Sequence, residues 1–74
     1  MQIEVNGEPR QISDQTTLDG LLAELKLAPE RIAVEHNRTV ISRRDWSQTR
    51  LMEGDRIEIV HFVGGGSIKL TIEN

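Results

Sequence analysis

The sequence predicts an α+β fold, a mixed sheet of about five strands with one main helix lying across one face. Three observations carry that expectation. Both ends of the first 63 residues carry strand patterns, Met1–Asn6 and Arg56–Val63. The dipeptide Asn6-Gly7 joins the first strand to a return strand. Between the ends lies one amphipathic helical face built from leucines.

Taking the elements in order, Ile3 and Val5 alternate with Gln2 and Glu4, as a half-buried strand requires. Asn6-Gly7 is a strong hairpin signal because a type I′ turn needs positive φ at both central positions. The return strand, Glu8 to Ile12, contains Pro9. Proline cannot donate to a ladder, so this strand belongs at an edge or pairs only beyond Pro9. Thr16 is placed to cap the helix, with Asp19 at the third helical position near the positive end of the dipole. Leu18, Leu21, Leu22 and Leu25 then share one face, opposite Asp19, Glu24 and Lys26. Gly20 costs a helix interior about 1 kcal/mol relative to alanine, which points to close approach of the helix to the sheet. Pro29 closes the helical region, since the residue before a proline favours extended backbone.

Ile32 to Glu35 reads as a third strand, His36-Asn37-Arg38 as a turn and Thr39-Val40-Ile41 as a short fourth strand. His36 is most simply a turn residue. No other histidine or carboxylate stands at a metal-ligand spacing from it, so no metal site is expected. Ser42 precedes a short helical turn, Arg43-Arg44-Asp45-Trp46, with the two arginines solvated. Trp46 is expected in the core or as a lid beneath that turn, its indole N–H needing an acceptor. Glu53-Gly54-Asp55 supplies turn chemistry before the last strand. There Ile57 and Ile59 alternate with Arg56 and Glu58, and His61 reads as a half-exposed strand residue. Val60, Phe62 and Val63 break the alternation, which points to deep burial or a surface reserved for a partner. The order is strand, strand, helix, then three strands. A right-handed crossover through the helix sets the first and last strands parallel and adjacent, the β-grasp architecture. That architecture does not by itself name an activity.

Composition narrows the function classes. A chain of 74 residues makes one small domain, which buries only about 60% of its unfolded surface. With no cysteine there is no disulfide, no thiolate metal site, no thiol nucleophile and no persulfide on this chain. Nine basic and twelve acidic residues leave a net charge of −3, which argues against phosphate-driven nucleic-acid binding. Trp46 and Phe62 are the only aromatics, too few for a base-stacking platform. No apolar run approaches the roughly 20 residues of a membrane span, and the N-terminus lacks a signal pattern, so a cytoplasmic protein is expected. No serine–histidine–carboxylate arrangement or other catalytic constellation can be read from the spacings. The chain reads as an enzyme's substrate rather than an enzyme, with no cofactor of its own.

After Val63 come Gly64, Gly65 and Gly66. Glycines lose more backbone entropy on ordering than other residues and pack no side chain, so the three read as a flexible, slender tail. A narrow enzyme channel can admit such a tail where any side chain would clash. Met-Gln-Ile with Asn6-Gly7, the four-leucine helix, Arg43-Arg44-Asp45-Trp46, and Glu53-Gly54-Asp55 through Val60-His61-Phe62-Val63-Gly64-Gly65-Gly66 together resemble the ubiquitin-like sulfur carriers of the ThiS family. The resemblance covers Met1 to Gly66. It implies a carrier for thiazole formation in thiamine biosynthesis, with the carboxylate of Gly66 adenylated and converted to a thiocarboxylate. It also implies a ThiF-like adenylating enzyme, a sulfur donor and thiazole synthase as partners, with Phe62 and Val63 as docking residues. Molybdopterin-type carriers share the fold and a Gly-Gly end. The Val-Gly-Gly-Gly ending and the Trp46 segment favour the thiazole pathway.

One feature departs from the family pattern. Residues 67–74, Ser-Ile-Lys-Leu-Thr-Ile-Glu-Asn, follow the glycines, so Gly66 is held in an amide. The chain therefore divides into a domain with its glycine tail, residues 1–66, and an extension, residues 67–74. In one reading a protease of the JAMM type removes the extension and exposes Gly66. In another the extension stays, because Ile68, Leu70 and Ile72 alternate with Lys69, Thr71 and Glu73 in a strand pattern. It would then add a strand to its own sheet or a neighbour's, making a ubiquitin-like binding or regulatory module. A third reading is an artificial extension, although its composition matches no common purification tag.

Overall fold

The computed structural model describes residues 1–63 and 68–71. Strand β1, Gln2–Val5, turns into β2, Glu8–Gln11, through Asn6 (φ 50°) and Gly7 (φ 84°), both in the left-handed region that a type I′ turn demands. Among the described strands β2 pairs with β1 alone, so Pro9, opposite Glu4, sits on an outer strand. Helix α1, Leu18–Glu24, crosses next. Strand β3, Ile32–His36, forms a hairpin with the two-residue β4, Thr39–Val40. Strand β5, Arg56–Val63, is central. It runs parallel to β1 at Arg56 and Ile57 and antiparallel to β3 from Ile57 to His61. The sheet order is β2-β1-β5-β3-β4, the mixed arrangement expected from the sequence. A further strand, β6, Ile68–Thr71, pairs antiparallel with Val60–Val63 of β5.

The core lies between α1 and one face of the sheet. Ile3, Val5, Ile32, Val34, Ile57 and Ile59 meet Leu18, Leu21 and Leu22 there, with Ile12, Trp46 and Leu51 closing the margins. Leu25 packs against this cluster while partly exposed. Trp46 is buried, and its indole N–H donates to the Ile41 carbonyl at 3.0 Å, so the expected acceptor is backbone. The segment around it is a 3₁₀ helix, Arg43–Gln48, and Ser42 makes no side-chain capping bond.

Three local expectations need correction. Thr17, not Thr16, caps α1: its Oγ1 accepts from the Gly20 N–H and donates to Asp19. Thr16 Oγ1 instead donates to the Ser13 carbonyl, and its own carbonyl accepts from Leu51 N–H. The helix also stops before Pro29, because Lys26 takes a left-handed backbone (φ 60°), and Pro29 opens a 3₁₀ turn, Pro29–Arg31. Gly20 does not approach the sheet. A Cβ there would meet only Thr17 Oγ1 at 3.4 Å and Thr16 Cγ2 at 3.7 Å.

Candidate functional site: the length of strand β5

The final strand is held differently at its two ends. At its start lies Asp55, a buried carboxylate. Its Oδ2 accepts from the Met52 N–H at 2.8 Å and is 2.7 Å from His36 Nε2, while Oδ1 accepts from Asn37 Nδ2 at 3.2 Å. Burial pushes this carboxyl up. The bonds from His36, Met52 and Asn37 and the charge of His36 together outweigh burial and hold it below its ordinary value. His36, expected as a simple turn residue, is thus one jaw of a clamp that ties the β3–β4 turn to β5. Asp55, expected only to supply turn chemistry, holds this clamp as well. A signal was available: antiparallel β3 and β5 place His36-Asn37 and Gly54-Asp55 at the same end of the sheet.

Asparagines flank both edges of the strand. On the β3 side, Asn37 N–H donates to the Arg56 carbonyl at 2.8 Å, and Arg56 N–H donates back to Asn37 Oδ1 at 2.9 Å. On the β1 side, Asn6 N–H donates to the Ile57 carbonyl at 2.8 Å. There Ile59 N–H donates to Asn6 Oδ1 at 2.8 Å, and Asn6 Nδ2 reaches the Ile59 carbonyl at 3.4 Å. Asn6 therefore acts as a substitute peptide group, carrying the β1 edge one step past the end of β1.

The face of the sheet away from α1 changes character along β5. Arg56 and Glu58 lie in an open, mixed-charge depression with Glu4, Glu35, Arg38 and Val60. The Arg56–Glu4 contact there, 3.4 Å and largely exposed, adds little stability. Toward the end of β5 this face turns apolar. Val60 stands opposite Ala33, and Phe62 is 37% exposed. Phe62 is therefore an accessible aromatic rather than a core one. His61 is half-buried, as expected. Of Val63 only the backbone is described, and Gly64, Gly65 and Gly66 lie outside the described residues.

Among the described residues no group of three or more histidine or carboxylate side chains is placed to hold a metal ion. No described helix is long and apolar enough to cross a membrane.

Comparison with known proteins bears on the whole domain. The family model described as "ThiS family" matches residues 3–66. The chain is 52% identical over 66 residues to a thiazole synthase of Magnetococcus marinus, an alignment covering 89% of this chain and 20% of that protein. It is 42% identical over 53 residues to the sulfur carrier protein ThiS of Bacillus subtilis, covering 72% of this chain and 80% of that one. The chain spans about a fifth of the length of the two thiazole synthases it matches. Among solved structures, the thiamine biosynthesis protein ThiS from Geobacter metallireducens superposes with a TM-score of 0.79 at 35% identity, over 89% of this chain and 100% of that one.

Proposed function

Because the chain belongs to the ThiS family, we propose that it is a sulfur carrier of thiamine biosynthesis whose working group is the carboxyl of Gly66, exposed by removal of residues 67–74. One observation carries this: the family match ends at residue 66, the last of three glycines, ahead of the eight-residue extension. A carboxylate oxygen of Gly66 attacks the α-phosphorus of ATP and expels pyrophosphate. The resulting acyl-adenylate is a mixed anhydride. A sulfide-level sulfur nucleophile from a donor then adds to its carbonyl carbon, the C–O bond to AMP breaks with AMP leaving as its anion, the sulfur loses its proton, and a thiocarboxylate remains for thiazole formation. The Gly66–Ser67 amide has no carboxylate to begin this sequence, so the full-length chain is inert.

The proposed partners follow from these steps: a ThiF-like adenylating enzyme, a thiazole synthase and a protease of the JAMM type. Phe62 and Val63 are the proposed docking residues. Phe62 supplies an exposed aromatic on the strand that leads directly into the glycines, the position a partner must grip to direct the tail. The carrier is acted upon and performs no catalysis itself.

The test is ATP–pyrophosphate exchange with a ThiF-like enzyme. The chain ending at Gly66 supports exchange and the full-length chain does not; equal exchange by both forms overturns the proposal. Intact mass spectrometry of the protein from its own host then separates the two fates of the tail. A mass ending at Gly66, with one oxygen replaced by sulfur, is the expected product. A second reading, in which the tail is retained, has one observation in its favour, the pairing of Ile68–Thr71 with β5. A mass retaining Asn74 under thiamine-starved growth supports it.

A further inference from the structure

We propose that the backbone of β5 at His61 and Val63 is a strand-addition site. The chain's own Ile68–Thr71 fills it before processing, and an extended partner segment fills it afterwards. That segment runs antiparallel to β5 and alternates apolar with polar residues. The second half of this proposal rests on the carrier reading above; the first half does not.

The location follows from the alternation of backbone groups along β5. Successive residues of a strand direct their N–H and C=O to opposite edges. On the β1 edge, the Asp55 carbonyl accepts from Glu4 N–H at 2.9 Å and the Ile57 carbonyl from Asn6 N–H at 2.8 Å. The Ile59 N–H is met by Asn6 Oδ1 at 2.8 Å. The next groups on this edge belong to His61 and Val63. β1 ends at Val5 and its register with β5 runs to Ile57, and His61 and Val63 are instead in register with β6. The β3 edge cannot host an added strand over the same stretch, because β3 pairs with β5 up to His61.

The occupant's chemistry is given by the strand that sits there. β6 places Leu70 opposite His61 and Ile68 opposite Val63, the two positions whose β5 backbone faces outward on this edge. Its sequence, Ile-Lys-Leu-Thr, alternates apolar with polar residues. In strand addition the main-chain bonds supply affinity and alternate side chains supply selectivity. An uncovered edge is also a template for unwanted pairing. Cutting after Gly66 therefore has two consequences at once: it creates the reactive carboxylate, and it bares an edge at His61 and Val63, within three residues of the first glycine.

Amide hydrogen exchange measured by NMR tests this without ATP or any enzyme. Among the described residues the last buried one is Ile59, and the family match ends at residue 66, so the chain ending at Gly66 is expected to keep the fold. In that form the His61 and Val63 amides exchange at least about tenfold faster than in the full-length chain, while Ile59, held by Asn6, is unchanged. Leu70→Pro in the full-length chain also speeds exchange at His61, since the lost N–H facing the His61 carbonyl and the proline ring together unpair the strand there. A synthetic peptide of residues 67–74, added at millimolar concentration to the shortened chain, slows both amides again, and its Leu70→Pro version does not. Equal exchange in the two chains overturns the self-pairing, and a peptide that leaves His61 and Val63 unchanged overturns the added strand. Either result leaves the ATP–pyrophosphate test standing, and failure of that test leaves this one standing.

Discussion

The start and the end of strand β5 are built on opposite principles. At Asp55 a buried carboxylate gathers partners from the β3–β4 turn and from its own loop, and each polar group there answers another. Seven residues on, Phe62 presents an aromatic ring to solvent, and the backbone of His61 and Val63 faces β6 rather than a core strand. The first end fixes where the strand begins in space. The second delivers whatever follows it. The carrier role proposed above needs both, because a tail can be aimed into a partner's channel only from a strand whose origin does not move.

The sharpest way to break the contrast is to disarm the anchored end. Asp55→Ala removes the acceptor of the Met52 N–H and the Asn37 amide, two part-buried bonds, and the cost expected is about 2 kcal/mol in urea denaturation. The pH dependence has a definite sign. Asp55 has a folded pKa below its ordinary 3.8, so its contribution is complete above that value and is lost as pH falls through the depressed folded value. The stability gap between wild type and Asp55→Ala therefore shrinks as pH falls below about 4. A gap that stays constant down to pH 2 would show that the carboxylate's charge contributes nothing.

Between the two ends sits Asn6, and Asn6→Gly tests its part alone. Glycine keeps the left-handed backbone (φ 50°) but removes the side chain that meets Ile59. Loss of the two described bonds to Ile59, one good and one long, is expected to cost about 1 kcal/mol. The more specific readout is the Ile59 amide, whose exchange accelerates while the Val34 amide in β3 keeps its rate. Should Ile59 remain protected, the side chain is not the substitute peptide group described above.

The sequence revealed these regions unequally, for physical reasons. Asn6-Gly7, the leucine face of α1 and the alternation of Ile57 and Ile59 are local patterns, and local patterns survive reading one residue after another. Phe62 was legible because it broke such a pattern. Asp55 was not, since Gly-Asp before a strand looks the same whether the carboxylate is solvated or clamped. Its side-chain partners lie 18 and 19 residues away, with no period linking them. Asn6 was fully accounted for by its turn, which hid the second use of its side chain. Thr16 and Thr17 are chemically alike as caps. The contact of Thr16 with Leu51, 35 positions distant, settles which of them remains for the helix.

The smallest expected effect on stability lies at the delivering end. Phe62 is 37% exposed, and no buried cluster includes it. Phe62→Ala should cost less than about 1 kcal/mol, against the roughly 3–5 kcal/mol of emptying a core phenylalanine site. Its effect belongs in the partner assay instead. Aromatic side chains that are accessible when free and covered on binding dominate many interfaces, at about 2 kcal/mol or more each, so the ThiF-like enzyme should bind the variant roughly 30-fold more weakly. A variant with wild-type affinity and a large loss of stability would reverse the assignment. Phe62 would then be part of the anchor, and the two ends of β5 would not differ in the way proposed.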